Sequence, residues 1–328
     1  YKTQKQYKKA GDLYAVLYRK HPNTLSYLYD ATYMYVMARE LDKALKLLTE
    51  AEKAIGLNED IVKQKQSIFL AQNKVDKAVK EASLFGPVKV VSDTADKKHT
   101  YINKVLDIPS NATYLHITTN NTVEGTQWHS YPQTSALLIG DMSSDIFCRP
   151  TNFKQFDLIY AGAQKNMGAA GVTMVVVKKD ILGKTNRKIP AILDYRKHIE
   201  AGSLLNTPPV FSIYVSLLTL RWIEAQGGLA AMEKLNLAKA NLLYNTIDSS
   251  TAFHCPIAKE DRSIMNAVFF LTDTSKEEAF LALCKKEGMI GVKGYRTVGG
   301  IRVSMYNALP YSSVEAFCNM MKSFAEKI

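Results

Sequence analysis

Cysteine and histidine are scarce in this 328-residue sequence, and their positions exclude several kinds of site. The four cysteines are far apart and form no Cys-x-x-Cys pair, so we predict reduced thiols rather than a disulfide framework. The six histidines show no metal-ligand spacing, so no metal site is expected. This pattern is typical of a cytoplasmic protein. The cysteines are Cys148, Cys255, Cys284 and Cys318.

Long apolar runs are also lacking. No stretch reaches the roughly 18 apolar residues of a membrane-spanning helix, so we expect no membrane partner. No secretory signal is visible, and the chain begins at Tyr1 rather than methionine, as is typical of a fragment or a processed chain. The net charge of +11 comes mostly from lysines that lie beside acidic residues. A solvated surface explains them, so we predict no nucleic-acid partner.

The segment from Asp157 to Gly171 contains the most informative lysine of the sequence. An apolar run at residues 158–160 indicates the end of a buried strand, and a turn of glycine and alanine with Lys165 follows. Small residues let the backbone and a ligand approach closely. A lysine held in such a turn can have a lowered pKa and act as an amine nucleophile. The alternative is an ordinary surface lysine on a glycine loop.

A second short apolar run, Ala136–Gly140, ends at Asp141. In open α/β sheets, ligands bind beyond the carboxyl ends of the strands. A lysine and an aspartate at that edge match the needs of pyridoxal phosphate, because the amine forms an imine and the carboxylate keeps the pyridine nitrogen protonated. Asp141 could otherwise be a helix cap or a turn former.

At this point a family resemblance is apparent. Residues from about 80 to 328 resemble the phosphoserine aminotransferases, which are class-V, fold-type I pyridoxal phosphate enzymes. The resemblance implies an α/β pyridoxal phosphate transferase fold, with a large domain at residues 84–250 and a small α+β domain at residues 251–328. The matching motifs are Thr119–Gly125, Asp141–Ser144, Tyr160–Asn166, Asn206–Pro209 and Val298–Arg302.

The resemblance also implies cofactor-binding roles. Lys165 would bind pyridoxal phosphate covalently and move the proton of the substrate α-carbon. Asp141 would pair with the pyridine nitrogen and Thr122 with the ring hydroxyl. The cofactor phosphate would be held by Gln164 and, across a homodimer interface, by Asn206 and Thr207 of the neighbouring subunit.

The substrates implied by the resemblance are glutamate and a phosphorylated 2-oxo acid. Arg296 and Arg302 would bind their anionic groups, because a guanidinium fork matches a carboxylate or a phosphate. Tyr295 stands where many family members have histidine. Tyrosine can donate a hydrogen bond to a phosphate but carries no positive charge, which makes phosphate binding here a weaker expectation.

The front of the chain departs further from the family. The family has about a hundred more residues before the first matching motif, including a glycine-rich cup for the cofactor phosphate and an aromatic residue stacked on the ring. No such cup precedes Thr122, and the stacking tryptophan would fall near Lys74. We therefore expect the large domain to lack its N-terminal part.

Residues 1–83 instead resemble about two and a half tetratricopeptide repeats. Ala10, Ala44 and Ala78 recur at intervals of 34 residues, which is the length of that repeat. Alanine at this position lets paired helices approach closely. The repeats would give an all-α segment with a possible peptide partner. The alternative is a set of ordinary amphipathic helices with an accidental period.

Further elements follow from pattern and capping. We predict a strand at residues 172–177, helices at 209–226 and 229–247, and strands at 267–271 and 300–306. Thr274 with Glu277 predicts a capping box, and Ser312 caps the last helix together with Glu315. The alternation of strands and helices after residue 250 is typical of a small α+β domain.

The leading functional hypothesis is a transamination. Glutamate would give its amino group to 3-phosphohydroxypyruvate, which yields phosphoserine and 2-oxoglutarate for serine biosynthesis. The alternative is a tetratricopeptide interaction module, or an artificial fusion, that carries an incomplete and inactive aminotransferase.

Overall fold

The computed structural model describes residues 2–38, 40–55, 61, 65, 79–80, 82–295 and 298–327. The chain divides into two units, Tyr1–Val90 and Val91–Ile328. The boundaries expected at residues 83 and 250 stay predictions.

The first unit contains three described helices, α1 (Lys2–Lys20), α2 (Leu25–Met37) and α3 (Leu41–Ile55). The absence of a side chain at Gly11 matters for their packing, because a Cβ there would lie 2.8 Å from the ring of Tyr35. The missing side chain lets α1 and α2 lie close together. Small and branched apolar residues fill the core of this unit, namely Leu28, Ala31, Ala44, Leu48 and Ala51.

The repeat interpretation of this unit stays a prediction. Of the three repeated alanines, Ala44 is fully buried and Ala10 is half-buried. Ala78 lies outside the described residues, as does most of the helix expected at residues 75–84. Three described helices are a short segment, and they do not by themselves establish a repeat array.

The second unit begins with a four-stranded sheet and a short hairpin. In chain order the strands are β1 (Tyr114–Thr118), the hairpin strands β2 (Asn120–Asn121) and β3 (Thr126–Gln127), then β4 (Leu137–Asp141), β5 (Leu158–Gly162) and β6 (Thr173–Val177). The sheet has the order β1-β4-β5-β6, in which β1, β4 and β5 are parallel and β6 is antiparallel.

One face of this sheet packs into a core, because alternate side chains of a strand point to opposite faces. Leu115 and Ile117 of β1, Leu138 of β4, and Ile159 and Ala161 of β5 are buried together. The opposite face carries the residues between them and is more open. The predicted strands at residues 136–140 and 172–177 are confirmed to within one residue.

Helices α4 (Tyr195–Glu200), α5 (Val210–Ala225) and α6 (Gly228–Asp248) follow the sheet. Helix α5 lies so close to the turn after β5 that a Cβ on Gly168 would clash with Oγ of Ser216. The Oγ of Ser212 also donates a 2.7 Å hydrogen bond to the carbonyl of Ala170. The two serines thus fix the far side of the lysine-containing turn. The predicted helices at 209–226 and 229–247 are confirmed.

The last part of the chain is an antiparallel sheet covered by helices. Strands β7 (Phe253–His254), β8 (Asn266–Leu271) and β9 (Ile301–Ser304) pair in that order, and helices α7 (Glu277–Lys286) and α8 (Tyr311–Ala325) complete the unit. Edge-to-face aromatic pairs dominate its core. They are formed by Phe253, Phe269, Phe280, Phe317 and Phe324.

Both predicted capping boxes are wrong. Before α7, the carboxylate of Asp273 accepts from the amide of Ser275 and caps a short 3-10 turn, so Thr274 does not act as the cap. Helix α8 begins after Pro310 without a side-chain cap. The fixed φ of proline already suits a helix start, which leaves Ser312 inside the first turn.

Lys239 is a fully buried lysine on α6 that holds the connection between β9 and α8. Its Nζ donates to the carbonyls of Met305, Tyr306 and Leu309 at 3.1, 2.9 and 3.1 Å. Burial lowers the pKa of Lys239 from 10.5 to about 8. Three accepting carbonyls explain why a cation is tolerated inside the protein.

Replacement of Lys239 by methionine is expected to lower the free energy of unfolding by about 2 kcal/mol at pH 7, because three carbonyls lose their donor. Between pH 8 and 10.5 the unfolded lysine keeps a proton that the folded one has lost. Stability conferred by Lys239 therefore rises with pH, by at most about 3 kcal/mol.

The measurement is urea unfolding at pH 7 and pH 9.5, with Lys234→Met on the exposed side of the same helix as the matched control. The gap between wild type and the Lys239 variant should widen with pH, whereas the control should follow wild type. A gap that does not change with pH would contradict the expected effect of burial.

Candidate active site

The carboxyl ends of β1, β4 and β5 meet at one edge of the large sheet. Three of the predicted cofactor residues lie there, namely Thr122, Asp141 and Lys165. Thr118, Asp141 and Tyr160 are aligned across the three strands. Lys165 follows the last residue of β5 by three positions. The hairpin that contains Thr122 follows directly after β1. The parallel arrangement of the strands thus brings together residues that are up to 43 positions apart in sequence.

Lys165 lies in a tight turn that is held by its own backbone. The carbonyl of Ala163 accepts from the amides of Met167 and Gly168, at 3.1 and 2.7 Å, and the amide of Ala163 donates to the carbonyl of Val172. Within the described residues, the amine of Lys165 has no hydrogen-bond or salt-bridge partner. Desolvation lowers the pKa of Lys165, and Arg302 adds to this, whereas the Asp141 and Asp145 carboxylates oppose it. The arrangement favours a reactive, unprotonated amine.

Asp141 is held at the end of β4 by the neighbouring turn. Its Oδ1 accepts from the amide of Ser143 at 2.9 Å, and Oγ of Ser143 accepts from the amide of Gly162 at 3.1 Å. The end of β4 is thereby tied to the end of β5, next to the lysine turn. An ionised carboxylate has about four acceptor sites, so Asp141 can accept from a ligand in addition to Ser143 and the neighbouring Tyr160.

Asp145 is a buried carboxylate behind Asp141 for which the sequence predicted no role. Burial raises its pKa to about 6, although Thr119 and Gln127 oppose the shift as donors. Nε2 of Gln127 donates to its Oδ2 at 3.1 Å, and Oγ1 of Thr119 donates to its other oxygen. A second acid four residues after Asp141 was the only sequence signal for this residue.

The hairpin of Thr122 is positioned by an amide that joins the two sheets. Nδ2 of Asn120 donates to Oγ of Ser144 at 2.8 Å and to Oδ1 of Asn266 on β8 at 2.9 Å. All three residues are buried, so the bonds are protected from water. They fix the position of the hairpin relative to both β4 and β8.

Arg302 on β9 reaches the same hairpin. Its Nη1 donates to the carbonyl of Thr122 at 3.1 Å, and its guanidinium lies over the ring of Tyr295, 5.8 Å from the centroid. Its positive charge also contributes to the lowered pKa of Lys165. Arg302, Tyr295, Thr122 and Lys165 therefore belong to one region, whereas Arg296 lies outside the described residues.

The remaining predicted residues are at the surface. Gln164 is exposed, and its amide folds back over Gly162, where a Cβ would lie 2.7 Å from Oε1. Asn206 and Thr207 are exposed before α5, where Nδ2 of Asn206 donates to the carbonyl of Thr207 at 3.2 Å. Within the described residues, no hydrogen bond or ion pair joins them to Lys165, Asp141 or Thr122.

The described residues contain neither a metal-binding cluster nor a membrane-spanning helix. No group of three histidine, cysteine or acidic side chains there could hold a metal ion. The helices that are described include none with the length and apolar character needed to span a bilayer.

The donor set fits pyridoxal phosphate. A partly buried amine with a lowered pKa, Lys165, can bond covalently to a carbonyl carbon. Asp141 supplies a carboxylate for a protonated ring nitrogen, and Arg302 supplies a guanidinium for an anionic group. Lys165 and Asp141 lie at one edge of the large sheet, and Arg302 reaches the adjoining hairpin from β9.

Comparison with known proteins identifies the family. Residues 54–317 match the family described as Aminotransferase class-V. The phosphoserine aminotransferase of Flavobacterium johnsoniae is 53% identical over 251 residues, which cover 76% of this chain and 70% of the relative. The chain belongs to the class-V aminotransferases. Its relatives within that class include the phosphoserine aminotransferase of Parabacteroides distasonis, 46% identical over 82% of this chain and 76% of the relative.

Solved structures agree with this assignment. The phosphoserine aminotransferase of Bacillus circulans subsp. alkalophilus has a TM-score of 0.74 and 41% identity, and the match covers 77% of this chain and 72% of that one. A phosphoserine aminotransferase studied for radiation damage of its Schiff base has the same TM-score and 43% identity over 78% of this chain and 72% of that chain. The second unit thus has a pyridoxal phosphate aminotransferase fold, and the class depends on that cofactor.

Two residues of this aminotransferase site had no predicted role. The sequence places His116 only in a strand-like run and Tyr160 only in a motif. In the structure, Nε2 of His116 lies 3.0 Å from the hydroxyl of Tyr160, beside Asp141. The signal available in the sequence was the alternation of side chains along β1 and β5. It places His116 and Tyr160 on the same sheet face once the strand register is known.

Proposed function

We propose that the chain is a pyridoxal phosphate-dependent aminotransferase that converts glutamate and 3-phosphohydroxypyruvate to 2-oxoglutarate and phosphoserine in serine biosynthesis. The observation that carries the proposal is the partly buried amine of Lys165 at the same sheet edge as Asp141, with Arg302 beside it. The identities of 46% and 53% to phosphoserine aminotransferases support the choice of substrates.

Pyridoxal phosphate, when bound, supplies an electron sink that makes the α-proton of an amino acid acidic. Lys165 would hold the cofactor and then carry that proton, for which a lowered pKa is an advantage at neutral pH. Asp141 would keep the ring nitrogen protonated, and the Thr122 hydroxyl would donate to the ring oxygen. Gln164, next to the lysine, would contribute to the phosphate site.

Substrate recognition is assigned to the region of Arg302. Its guanidinium is held by the Thr122 carbonyl and the Tyr295 ring, so it is oriented before an anion arrives. A carboxylate common to both substrates would bind here in a two-pronged manner. Tyr295 and Arg296 would bind the phosphate of the oxo acid, with the tyrosine as a neutral donor.

A homodimer is part of the proposal. Asn206 and Thr207 are exposed in the single chain and lie before α5, a helix whose apolar side chains are also exposed. Phe211 and Tyr214 of that helix are 74% and 55% exposed, and an apolar helix surface of this kind favours a protein contact. A second copy would cover it and bring the two polar residues to a neighbouring cofactor phosphate.

The other interpretations of the sequence receive less support than the aminotransferase. The tetratricopeptide repeats and their peptide partner, the cytoplasmic location and an inactive fusion stay predictions from the sequence. The match to the aminotransferase family begins at residue 54, inside the first unit. This overlap favours the enzyme over a separate interaction module.

The direct test is a half-reaction. The chain is loaded with pyridoxal phosphate, and glutamate is added without an acceptor. We expect the visible absorption of the cofactor to bleach and 2-oxoglutarate to appear in equal amount, and 3-phosphohydroxypyruvate should then restore the band with release of phosphoserine. If the band persists after glutamate is added, the proposed activity is wrong.

A further inference from the structure

One face of the large sheet carries a row of polar side chains at the site. Thr118, Asp141 and Tyr160 are paired across β1, β4 and β5, so their side chains share a face. His116 lies two positions before Thr118 and is on the same face. The opposite face is the buried apolar core. The polar row is therefore not needed for the packing of the sheet core, and its members surround the one carboxylate proposed to bind the cofactor ring.

Tyr160 is paired with Asp141 across the strands and also contacts His116. Its hydroxyl lies 3.0 Å from Nε2 of His116, and the two rings are stacked, 6.0 Å apart at 28°. Burial raises the pKa of Tyr160, and the nearby Asp141 carboxylate raises it further, with a weaker contribution from Tyr195 of α4. Tyr160 is therefore a neutral phenol with a single proton to donate.

His116 is neutral as well. Part of its ring faces solvent, yet desolvation by the surrounding protein lowers its pKa, and only the Asp141 carboxylate opposes this. A neutral imidazole has one donor nitrogen and one acceptor nitrogen. The direction of the His116–Tyr160 hydrogen bond therefore depends on which nitrogen carries the proton.

The Asp141 charge decides this direction. A carboxylate accepts hydrogen bonds and never donates, and it attracts the positive end of nearby O–H and N–H dipoles. The phenol proton of Tyr160 is thus directed to Asp141, and the phenol oxygen accepts from Nε2–H of His116. Chains of hydrogen bonds polarise one another, so the histidine strengthens the bond that the tyrosine makes.

We propose that His116 and Tyr160 are positioning residues, which donate in series to Asp141 and hold its carboxylate oriented toward the cofactor ring nitrogen. The inference rests on the proposed function. A supporting hydrogen bond restricts the orientation of a ligating group. Neither residue touches the reacting atoms; both act through Asp141.

The first experiment uses the chain without cofactor. Long-range proton–nitrogen NMR of the histidines reports which nitrogen of His116 is protonated, with His116→Phe to assign the signal. We expect the Nε2–H form at pH 7.5 in wild type. The Nδ1–H form would overturn the proposal, because Tyr160 would then donate to His116 rather than to Asp141. This readout does not depend on whether the chain is a transaminase.

The second experiment uses Tyr160→Phe in the loaded enzyme. We expect kcat to fall by about ten- to hundredfold, the effect of one lost hydrogen bond to a charged group, while KM for glutamate changes less than twofold. The pH midpoint of the visible absorption should also move. Tyr114→Phe, which removes an exposed hydroxyl from the same face of β1, should match wild type in all three.

A Tyr160→Phe enzyme that keeps the wild-type pH midpoint and kcat would overturn the proposal. If that variant does not fold, His116→Phe replaces it, since this change keeps the stacked ring and removes only the outer donor. The expected loss in kcat for His116→Phe is about threefold, and the pH midpoint of the visible absorption should move less than in Tyr160→Phe. Wild-type values for both quantities would again overturn the proposal. If wild type shows the expected His116 form but binds no pyridoxal phosphate, the proposed function fails and the hydrogen-bond assignment stands.

Discussion

Replacement of Lys165 by alanine is expected to abolish transamination, with a loss in kcat on the order of 10⁵-fold. Among the described residues, no other amine is placed to do its work, because Lys165 is the one lysine in the turn after β5 and its pKa responds to Asp141 and Arg302. The variant should still bind pyridoxal phosphate weakly, since Asp141 and Thr122 remain. Its spectrum should be that of the free aldehyde rather than the shifted band of a bound imine.

The measurement is cofactor titration followed by the glutamate half-reaction. Lys179→Ala, which removes an exposed lysine at the far end of β6, is the matched control and should behave as wild type. Methylamine at high concentration should restore part of the activity of the Lys165 variant, because it returns the missing amine. A Lys165→Ala protein that keeps the shifted band would place the covalent site elsewhere in the chain.

The position of Lys165 and Asp141 at one sheet edge could be predicted because its sequence signal is local. Lys165 and Asp141 each follow a short apolar strand, and parallel strands deliver their carboxyl ends to the same edge. Arg302 was found only through its motif, since nothing local separates it from a surface arginine. In the structure, Thr122 and Tyr295 contact its guanidinium, and its role in binding an anion stays a proposal.

Residues that act across the sheet could not be predicted. The contact of His116 with Tyr160 depends on a strand register that joins positions 44 residues apart, and no local pattern encodes a register of that kind. The same holds for Asn120, whose partner Asn266 belongs to the other sheet. The capping boxes failed for a different reason, because Asp273 and Pro310 offer competing helix starts within two residues.

Asp141→Asn is expected to have the second largest effect, a loss in kcat/KM of about three orders of magnitude. Asparagine keeps the shape of the side chain and its bond to the amide of Ser143, but it removes the negative charge. The amide cannot hold a proton on the ring nitrogen, so the electron sink is weakened while cofactor attachment through Lys165 remains. Asp180→Asn, at an exposed position after β6, is the matched control.

The same variant has a predictable effect on the lysine. The Asp141 carboxylate opposes the downward shift in the pKa of Lys165, because it favours the ammonium form. Without this charge the pKa of Lys165 should fall further, and the pH profile for reaction of the unloaded amine with an aldehyde probe should move to lower pH. A profile that moves to higher pH, or does not move, would show that the two groups are not electrostatic neighbours.

Asp141→Asn also separates a positioning role from a structural one at Tyr160. If the tyrosine acts only through the Asp141 charge, Tyr160→Phe should have little further effect on kcat/KM once asparagine is present, although each change is harmful alone. Such non-additivity is expected for residues that share one interaction. If Tyr160→Phe lowers kcat/KM equally with aspartate and with asparagine at position 141, Tyr160 stabilises the sheet rather than acting through the carboxylate. The double variant therefore tests whether the strand register that aligns Asp141 with Tyr160 also serves the chemistry of the site.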